Sequence, residues 1–150
     1  GDVRPHPFFS TVEVRICDIP RRADESLASA ALIQATMAKL YKRHSQNQGV
    51  RMDSRALIRE NKWRAARYGL GGKMIDFGQE TERPAKELML EYLEFVDDVV
   101  DELDSRSEID YIRKMLEHGN GAERQLKGFE QTGDLKQGVQ YMGAETAAGL

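Results

Sequence analysis

Residues 11–18 read Thr-Val-Glu-Val-Arg-Ile-Cys-Asp, and their side chains alternate between apolar and polar types. In an extended strand the apolar side chains of this segment would lie on one face, with Glu13 and Arg15 on the other. Prolines stand on both sides of the segment and cannot donate backbone hydrogen bonds. The pattern therefore predicts one N-terminal β-strand over residues 11–18.

Beyond Pro20 the apolar residues recur at helical spacing. Capping residues and glycine stops divide this region. Residues 73–77 have the composition of a possible short second strand, and the region from Gly133 onward predicts no definite element. The sequence thus predicts an α+β, mostly α-helical fold in a single domain over residues 1–150. The predicted helices are 25–42 with an Asp24 cap, 53 or 54 to 68, 84–103, 107–118 with a Ser107 cap, and 122–131.

The predicted helix that begins at Pro84 carries the longest apolar stripe of the chain. Such a stripe is typical of a helix that packs against other helices. It also supports an alternative function, in which the chain is a non-catalytic helical module that binds a protein partner. The stripe comprises Leu88, Met89, Tyr92, Leu93, Phe95, Val96, Val99, Val100 and Leu103.

Length and charge exclude several classes of protein. The 150 residues carry 22 Lys and Arg against 25 Asp and Glu, a formal net charge of -3, so nucleic-acid binding is not expected. The single cysteine excludes an internal disulfide and a cysteine zinc cage. No apolar run approaches the roughly 20 residues of a membrane span, so no membrane partner is expected. The expected location is the cytoplasm.

A single strand cannot pair its own backbone groups, and two short strands far apart in sequence make a marginal sheet. The predicted strand over 11–18 therefore needs partners that this chain scarcely contains. We expect the chain to be the C-terminal part of a longer polypeptide, or to pair with a second chain. A homo-oligomer is compatible with this expectation.

Glu13 and Arg15 are the first candidate site residues. Residues two apart in a strand share a face at a separation of roughly 6–7 Å. A carboxylate there could hold Mg²⁺, and a neighbouring guanidinium could hold a phosphate oxygen. The alternative from spacing alone is a cross-strand salt bridge on a solvent face, which contributes little to stability.

A second candidate lies in residues 60–68, Glu-Asn-Lys-Trp-Arg-Ala-Ala-Arg-Tyr. Asn61 and Arg64 share one helical stripe, and Arg67 lies on an overlapping one, so the group could bind a carboxylate or a phosphate. The alternative is a surface pair between Glu60 and Arg64, with the tryptophan of this segment in the core. The acidic residues between 94 and 104 lack calcium-loop spacing and predict a solvated helix face.

Taken together, these two motifs resemble those of a known family. Residues 4–18 resemble the Arg-Pro…Phe-Gly-Thr-x-Glu-x-Arg-x-x-Asp segment of carboxylate–amine ligases of the glutamate–cysteine ligase type 2 family, which is related in fold to glutamine synthetase. Residues 60–70 resemble the family's Glu-Asn-Arg-Trp-Arg-Ala-x-Arg-Tyr-Gly-Leu segment, and two segments at 121–126 and 132–135 resemble its C-terminal region. This chain departs from the pattern at Ser10, Lys62 and Gly71, where the family has Gly, Arg and frequently Asp.

The resemblance implies an antiparallel sheet of a glutamine-synthetase-like catalytic domain, whose other strands come from sequence outside this chain. It implies an ATP- and Mg²⁺-dependent enzyme that phosphorylates a small carboxylate, commonly the side chain of glutamate, so that an amine can attack it and form an amide. The residue roles it implies are Glu13 as a Mg²⁺ ligand, Arg15 as a catalytic residue stabilising the transferring phosphoryl group, and Asn61, Arg64, Arg67 and, more weakly, Arg4 as contacts for nucleotide or substrate.

Overall fold

The computed structural model describes residues 2–148, which form helices and two small antiparallel sheets. A short 3₁₀ turn at Gly69–Gly71 follows the second helix. The described part of the chain is thus mostly helical, as predicted, and its strands pair as β1–β2 and β3–β4. The elements are β1 (Val3–Pro5), β2 (Val12–Val14), α1 (Ala23–Ser45), α2 (Arg55–Tyr68), β3 (Lys73–Asp76), β4 (Thr81–Pro84), α3 (Ala85–Val100), α4 (Arg106–His118), α5 (Gly121–Thr132) and α6 (Leu135–Ala148).

The hydrophobic core lies between α1, α3 and α4. Helix α1 contributes small alanine side chains, which let the larger side chains of the other two helices approach its backbone closely. Burying these side chains together stabilises the three-helix unit, because each large aliphatic side chain removed from water contributes about 1.5–3 kcal/mol. The buried members are Ala28, Ala31, Ala35, Leu93, Val96, Val99, Val100, Ile109, Ile112 and Leu116.

The apolar stripe of α3 is used inside the chain. Leu93, Val96 and Val100 are completely buried against α1 and α4. The stripe is therefore not a free surface for a protein partner. This removes the observation on which the alternative of a helical interaction module rested.

Most helix boundaries agree with the predictions, and the differences lie at the caps. Ser54, one of the two residues predicted to begin this helix, caps α2 by accepting a hydrogen bond from the backbone N–H of Ala56. Helix α1 begins after Arg22 rather than at Asp24, because the Glu25 carboxylate turns back to the backbone at the helix start. Helix α4 begins one residue earlier than predicted, with Ser105 rather than Ser107 at the N-cap, and α5 exceeds its predicted range by one residue at each end. Helix α3 ends at Val100, three residues before the predicted end, and α6 occupies a region where no element was predicted.

The prediction of one N-terminal strand over residues 11–18 is wrong in two respects. The strand is shorter than predicted, and it has a partner strand within the described chain. Strand β2 covers only Val12–Val14, and it pairs with Val3–Pro5 in a hairpin. One further backbone hydrogen bond beyond the paired residues runs from the Arg15 N–H to the Asp2 carbonyl, at 2.7 Å. Pro5 hid the partner strand from the sequence pattern, although proline is tolerated at the edge of a sheet.

The second hairpin joins the region after α2 to the helical core. Strand β3 matches the predicted short strand, whereas its partner β4 was not predicted. Asp76 closes the turn, because its carboxylate accepts hydrogen bonds from two backbone N–H groups of the turn and pairs with Arg83 at 3.0 Å. Arg83 also pairs with Glu91 of α3. Pro84 is both the last residue of β4 and the N-cap of α3.

Asp98 links α3 to α1 and gives the fold a predicted dependence on pH. Its carboxylate lies 2.6 Å from Lys39 Nζ and 2.9 Å from Lys42 Nζ, and these hydrogen bonds lower its pKa from 3.8 to about 2. Glu102 lies on the same side and also acts on Lys42. Because the folded pKa is lowered, the stabilising effect is present above the unfolded pKa and is lost as the pH falls towards 2.

We therefore expect Asp98→Asn to lower the melting temperature at neutral pH. The difference between the variant and the wild type should shrink as the pH falls from about 4 to 2, since the native carboxylate is then protonated as well. Thermal unfolding followed by circular dichroism across this pH range measures the effect. An equal difference at pH 2 and pH 7 would show that the charge of Asp98 is not its cause.

Candidate functional site

The first candidate site is the charged face of the β1–β2 hairpin. The register places Arg4 directly opposite Glu13, with Arg15 two residues further along the same face. Arg4 Nε donates to Glu13 Oε2 at 2.5 Å, and Arg15 Nε lies 3.6 Å from Glu13 Oε1. The hairpin therefore brings together three residues that the sequence singled out.

The electrostatics of this face favour an ionised carboxylate. The hydrogen bond from Arg4, followed by the charges of Arg4 and Arg15, holds the pKa of Glu13 below its ordinary value. The Glu13 side chain is 38% exposed, and the side chains of both arginines are more than half exposed. The cross-strand salt bridge that the sequence offered as the alternative is therefore present. The same geometry leaves all three groups accessible to a ligand.

The second candidate motif lies next to the first in the fold. Lys62 of α2 donates to an Asp2 carboxylate oxygen at 2.6 Å, which ties α2 to the start of β1. This hydrogen bond is the largest cause of the lowered pKa of Asp2. The ion pair between Lys62 and Asp2 thus brings together two motifs that lie about fifty residues apart in the sequence. Their spacing in the sequence did not predict this contact.

Asn61 has a structural role that the sequence did not predict. Its amide oxygen accepts a hydrogen bond from the Ile75 N–H at 2.7 Å, and its amide nitrogen donates to the Ile75 carbonyl at 2.9 Å. The side chain therefore acts as one more peptide group at the edge of β3. Its predicted contact with nucleotide or substrate remains a prediction, and would have to use the remaining donor and acceptor positions of the amide.

Replacing Asn61 by leucine should destabilise the junction of α2 and β3. Both hydrogen bonds to Ile75 would be lost, and partly buried backbone groups would be left unpaired, at a cost of about 1–3 kcal/mol. Urea unfolding measures this loss, and faster hydrogen exchange of the Ile75 amide locates it. Gln140→Leu, at an exposed position of α6, is the matched control and should change neither value. Unchanged exchange at Ile75 in the Asn61 variant would contradict this role.

Arg64 is more strongly held than the sequence suggested. The predicted pair with Glu60 is present at 2.8 Å, and Glu82 of β4 adds a second carboxylate at 2.6 Å. These hydrogen bonds raise the pKa of the guanidinium above its ordinary value, with Glu60 the larger contributor. An incoming anion at Arg64 would therefore compete with two carboxylates.

An open cleft of about 330 Å³ lies beside Arg64. Trp63 lines this cleft with 53% of its surface exposed, so the alternative interpretation of this segment is wrong in placing the tryptophan in the core of the described chain. The reason is that α2 buries none of its residues within the described chain. Tyr68 stands edge-to-face against Trp63 at a centroid distance of 5.6 Å, and the Arg67 guanidinium lies 5.7 Å from the Tyr68 ring. Of the predicted arginines of α2, Arg67 is thus the more accessible.

The sequence analysis missed a buried ion pair on the other side of α1. Glu25 is only 2% exposed, and its carboxylate accepts hydrogen bonds from Arg124 and from the backbone N–H of Arg21. Burial acts to raise the pKa of Glu25, but these hydrogen bonds together outweigh it and the pKa is lowered. The available signal in the sequence was the acid in the first turn of α1, because a carboxylate three residues after the N-cap often turns back to the backbone N–H groups at the helix start.

The hairpin offers one of the several ligands that a magnesium ion would need. Mg²⁺ in phosphate-transfer sites is held by one or two carboxylates together with phosphate oxygens and water. Glu13 offers one such carboxylate on an open face beside Arg15. Within residues 2–148 no group of three or more His, Cys, Asp or Glu side chains gathers around a common point. Glu13 could thus serve as one ligand among others supplied from outside the described chain.

Comparison with known proteins identifies the family. The model of glutamate–cysteine ligase family 2 matches residues 2–141, so the chain belongs to this family. The resemblance drawn from the two motifs is therefore confirmed. The match includes both the hairpin with Glu13 and Arg15 and the α2 segment with Asn61, Arg64 and Arg67.

Three curated relatives carry the name "Putative glutamate--cysteine ligase 2". The relative from Solibacter usitatus is 64% identical to this chain over 149 residues, the one from Herpetosiphon aurantiacus is 56% identical, and one from Chloroflexus aurantiacus is 51% identical. Each alignment covers 99% of this chain but only 38–39% of the relative. The chain thus spans about two fifths of the length of these relatives.

The length and composition of the helices bear on the expectation that the chain has no membrane-spanning segment. Among residues 2–148, no helix combines the length and the apolar character required to cross a bilayer. The longest helix, α1, has acidic residues in its first turn and basic residues in its last turn.

Proposed function

We propose that this chain is part of an ATP-dependent carboxylate–amine ligase that acts on a small, glutamate-like carboxylic acid and an amine. The observation that carries the proposal is the family match over residues 2–141. The names of the relatives give the acid as glutamate and the amine as cysteine. The hairpin supports the proposal, because it presents a carboxylate and a guanidinium together on one accessible face.

The proposed reaction has two steps. In the first, a carboxylate oxygen of the acid attacks the γ-phosphorus of ATP, and the bond to the β,γ-bridging oxygen breaks to release ADP. The product is an acyl phosphate. In the second, the amine nitrogen attacks the acyl carbon, the amine loses a proton, and inorganic phosphate leaves. The result is an amide, and the ATP supplies the driving force that the direct condensation lacks.

The residue roles follow from charge. Phosphoryl transfer depends mainly on positioning and on neutralising the phosphate oxygens. In the proposed site, Glu13 would hold Mg²⁺, which supplies positive charge to the phosphates when bound. Arg15, whose nearest carboxylate is 3.6 Å away, would turn to the transferring phosphoryl group. Arg4 is held by Glu13 and would serve mainly to position that carboxylate.

The α2 residues would provide contacts for the nucleotide or the acid. Arg67 is more exposed than Arg64, and the Tyr68 ring beside it, with Trp63 packed edge-to-face on that ring, offers apolar surface. Arg64 would contribute only if Glu60 or Glu82 gave way. Because the chain spans about two fifths of its relatives, the remaining ligands of such a site would come from sequence outside it.

A chimera tests this function directly. The matching region of the Solibacter usitatus relative, 64% identical to this chain, would be replaced by residues 2–150. We expect the chimera to release ADP from Mg²⁺-ATP only when both glutamate and an amine such as cysteine are supplied. ADP release is measured with a coupled assay and the amide by mass spectrometry. ADP release that does not depend on the carboxylic acid, or the absence of amide despite turnover of the parent relative, would contradict the proposal.

A further inference from the structure

Arg15 is held in the structure mainly through its backbone. It lies one residue beyond the end of β2, and its N–H donates a hydrogen bond to the Asp2 carbonyl at 2.7 Å. Its side chain is 56% exposed, and its Nε lies 3.6 Å from the Glu13 carboxylate, which is longer than a hydrogen bond. The position of the Arg15 guanidinium therefore depends on where Asp2 holds the backbone.

Asp2 also connects the hairpin to α2. Its carboxylate accepts a hydrogen bond from Lys62 Nζ at 2.6 Å, and this bond is short because both partners are charged. The two acceptor groups of Asp2 thus serve different segments of the chain. The carbonyl holds the backbone of Arg15, and the carboxylate is held by α2.

Lys62 projects from a part of α2 that the second hairpin holds in place. The preceding residue, Asn61, forms two hydrogen bonds with the Ile75 backbone of β3. Two residues further on, Arg64 pairs with Glu82 of β4 at 2.6 Å. Lys62 therefore starts from a restrained turn of the helix, which is what a side chain needs if it is to hold another segment in a defined position.

The first hairpin has no comparable restraint from apolar packing within residues 2–148. None of the residues of β1 and β2 is buried there. The ion pair between Lys62 and Asp2 is itself partly exposed, with 38% and 49% of the two side chains accessible, so it contributes little to the free energy of unfolding. Its effect is on the position of the hairpin rather than on stability.

We propose that Lys62 is a positioning residue, which acts through Asp2 to set the place of Arg15 relative to the residues of α2. The inference rests on the proposed function, in which Arg15 stabilises the transferring phosphoryl group and α2 contacts the nucleotide or the acid. Lys62 would not contact the phosphates itself, because Asp2 engages its ammonium group. Phosphoryl transfer depends on alignment, and a misplacement of about 1 Å can reduce the rate about 100-fold.

The test is Lys62→Met in the chimera described above. We expect kcat for ADP release to fall about tenfold or more, because Arg15 is no longer aligned, while KM for Mg²⁺-ATP and for glutamate changes less than about threefold. The melting temperature should stay the same, since the ion pair is exposed. Lys62→Arg should recover most of the lost kcat, because a guanidinium can also donate a hydrogen bond to Asp2.

Two further variants separate position from charge. Arg55→Met removes a positive charge from an exposed position of the same helix and should leave kcat and KM unchanged. Exchange of the two charges, Asp2→Lys with Lys62→Asp, should recover part of the activity that either single change removes, because an ion pair forms again. An unchanged kcat in Lys62→Met, or a KM for Mg²⁺-ATP that rises at constant kcat, would overturn the positioning role.

Hydrogen exchange in this chain distinguishes the inference from the proposed function. The Arg15 amide should exchange at least about fivefold faster in Lys62→Met, because its acceptor residue Asp2 is no longer fixed. The Ile75 amide, which is bonded to Asn61, should exchange at the wild-type rate. Unchanged exchange at Arg15 would contradict the inference. A chimera without ligase activity would instead contradict the proposed function, and faster exchange at Arg15 would still support the link through Asp2.

Discussion

Glu13→Gln in the chimera is expected to reduce ADP release by at least about 100-fold, the loss typical of removing one group that stabilises transition-state charge. The amide of glutamine keeps the shape of the side chain but removes the negative charge that would hold Mg²⁺ against the phosphates. The neighbouring Arg4 and Arg15 would then face the phosphates without a compensating anion. A steady-state ADP assay at saturating Mg²⁺-ATP measures the change.

The control for this prediction is Glu94→Gln, which removes an exposed carboxylate from α3, remote in sequence from both candidate motifs. It should retain wild-type turnover. The melting temperature of the Glu13 variant should stay close to that of the parent, because its ion pairs are exposed and exposed pairs contribute little to stability. Turnover of the Glu13 variant within a factor of two of the parent would remove this residue from the mechanism.

Arg124→Met is expected to cause the largest loss of stability, about 3 kcal/mol, as is typical when one partner of a buried ion pair is removed. Arg124 donates hydrogen bonds to Glu25, to Glu145 at 2.9 Å and to the Gly119 carbonyl at 2.9 Å. Without it the Glu25 carboxylate would remain buried with only backbone donors. Chemical denaturation of this chain at pH 7 measures the free energy of unfolding.

Two comparisons isolate the buried charge as the cause. Arg106→Met removes an arginine that also pairs with two carboxylates, Asp97 and Asp101, but on the surface, and it should lower the free energy of unfolding much less than Arg124→Met. The double variant Glu25→Leu with Arg124→Met should recover much of the lost stability, because no unpaired charge is left inside. Equal losses for the Arg106 and Arg124 variants would contradict the argument.

The helical part of the fold was largely predictable from sequence. Alanines at helical spacing specified α1, Ser54 and the glycines after Tyr68 bounded α2, and the apolar stripe after Pro84 specified α3. These signals are local, since each depends on the conformational preferences of neighbouring residues. The buried stripe of α3 was also identified correctly as a packing surface.

The pairings between distant residues were not predictable. Strand β1 was missed because proline is rare in strands, and only the register shows that Pro5 lies at an outward position. Asn61 gave no sign that it bonds to Ile75, nor Arg64 that Glu82 of β4 completes its ion pairs. For the candidate site, periodicity correctly placed Glu13 beside Arg15. The adjoining Arg4 depends on the hairpin, which is a long-range feature that no single segment encodes.

The junction between β4 and α3 has a mechanical consequence. Pro84 ends the strand and caps the helix without any intervening loop, while Arg83 clamps Asp76 on one side and Glu91 on the other. Because no flexible loop separates β4 from α3, we expect a displacement of the second hairpin to tilt α3. A molecule bound beside Arg64 and Glu82 should therefore change the chemical shifts of backbone amides in the core between α1, α3 and α4.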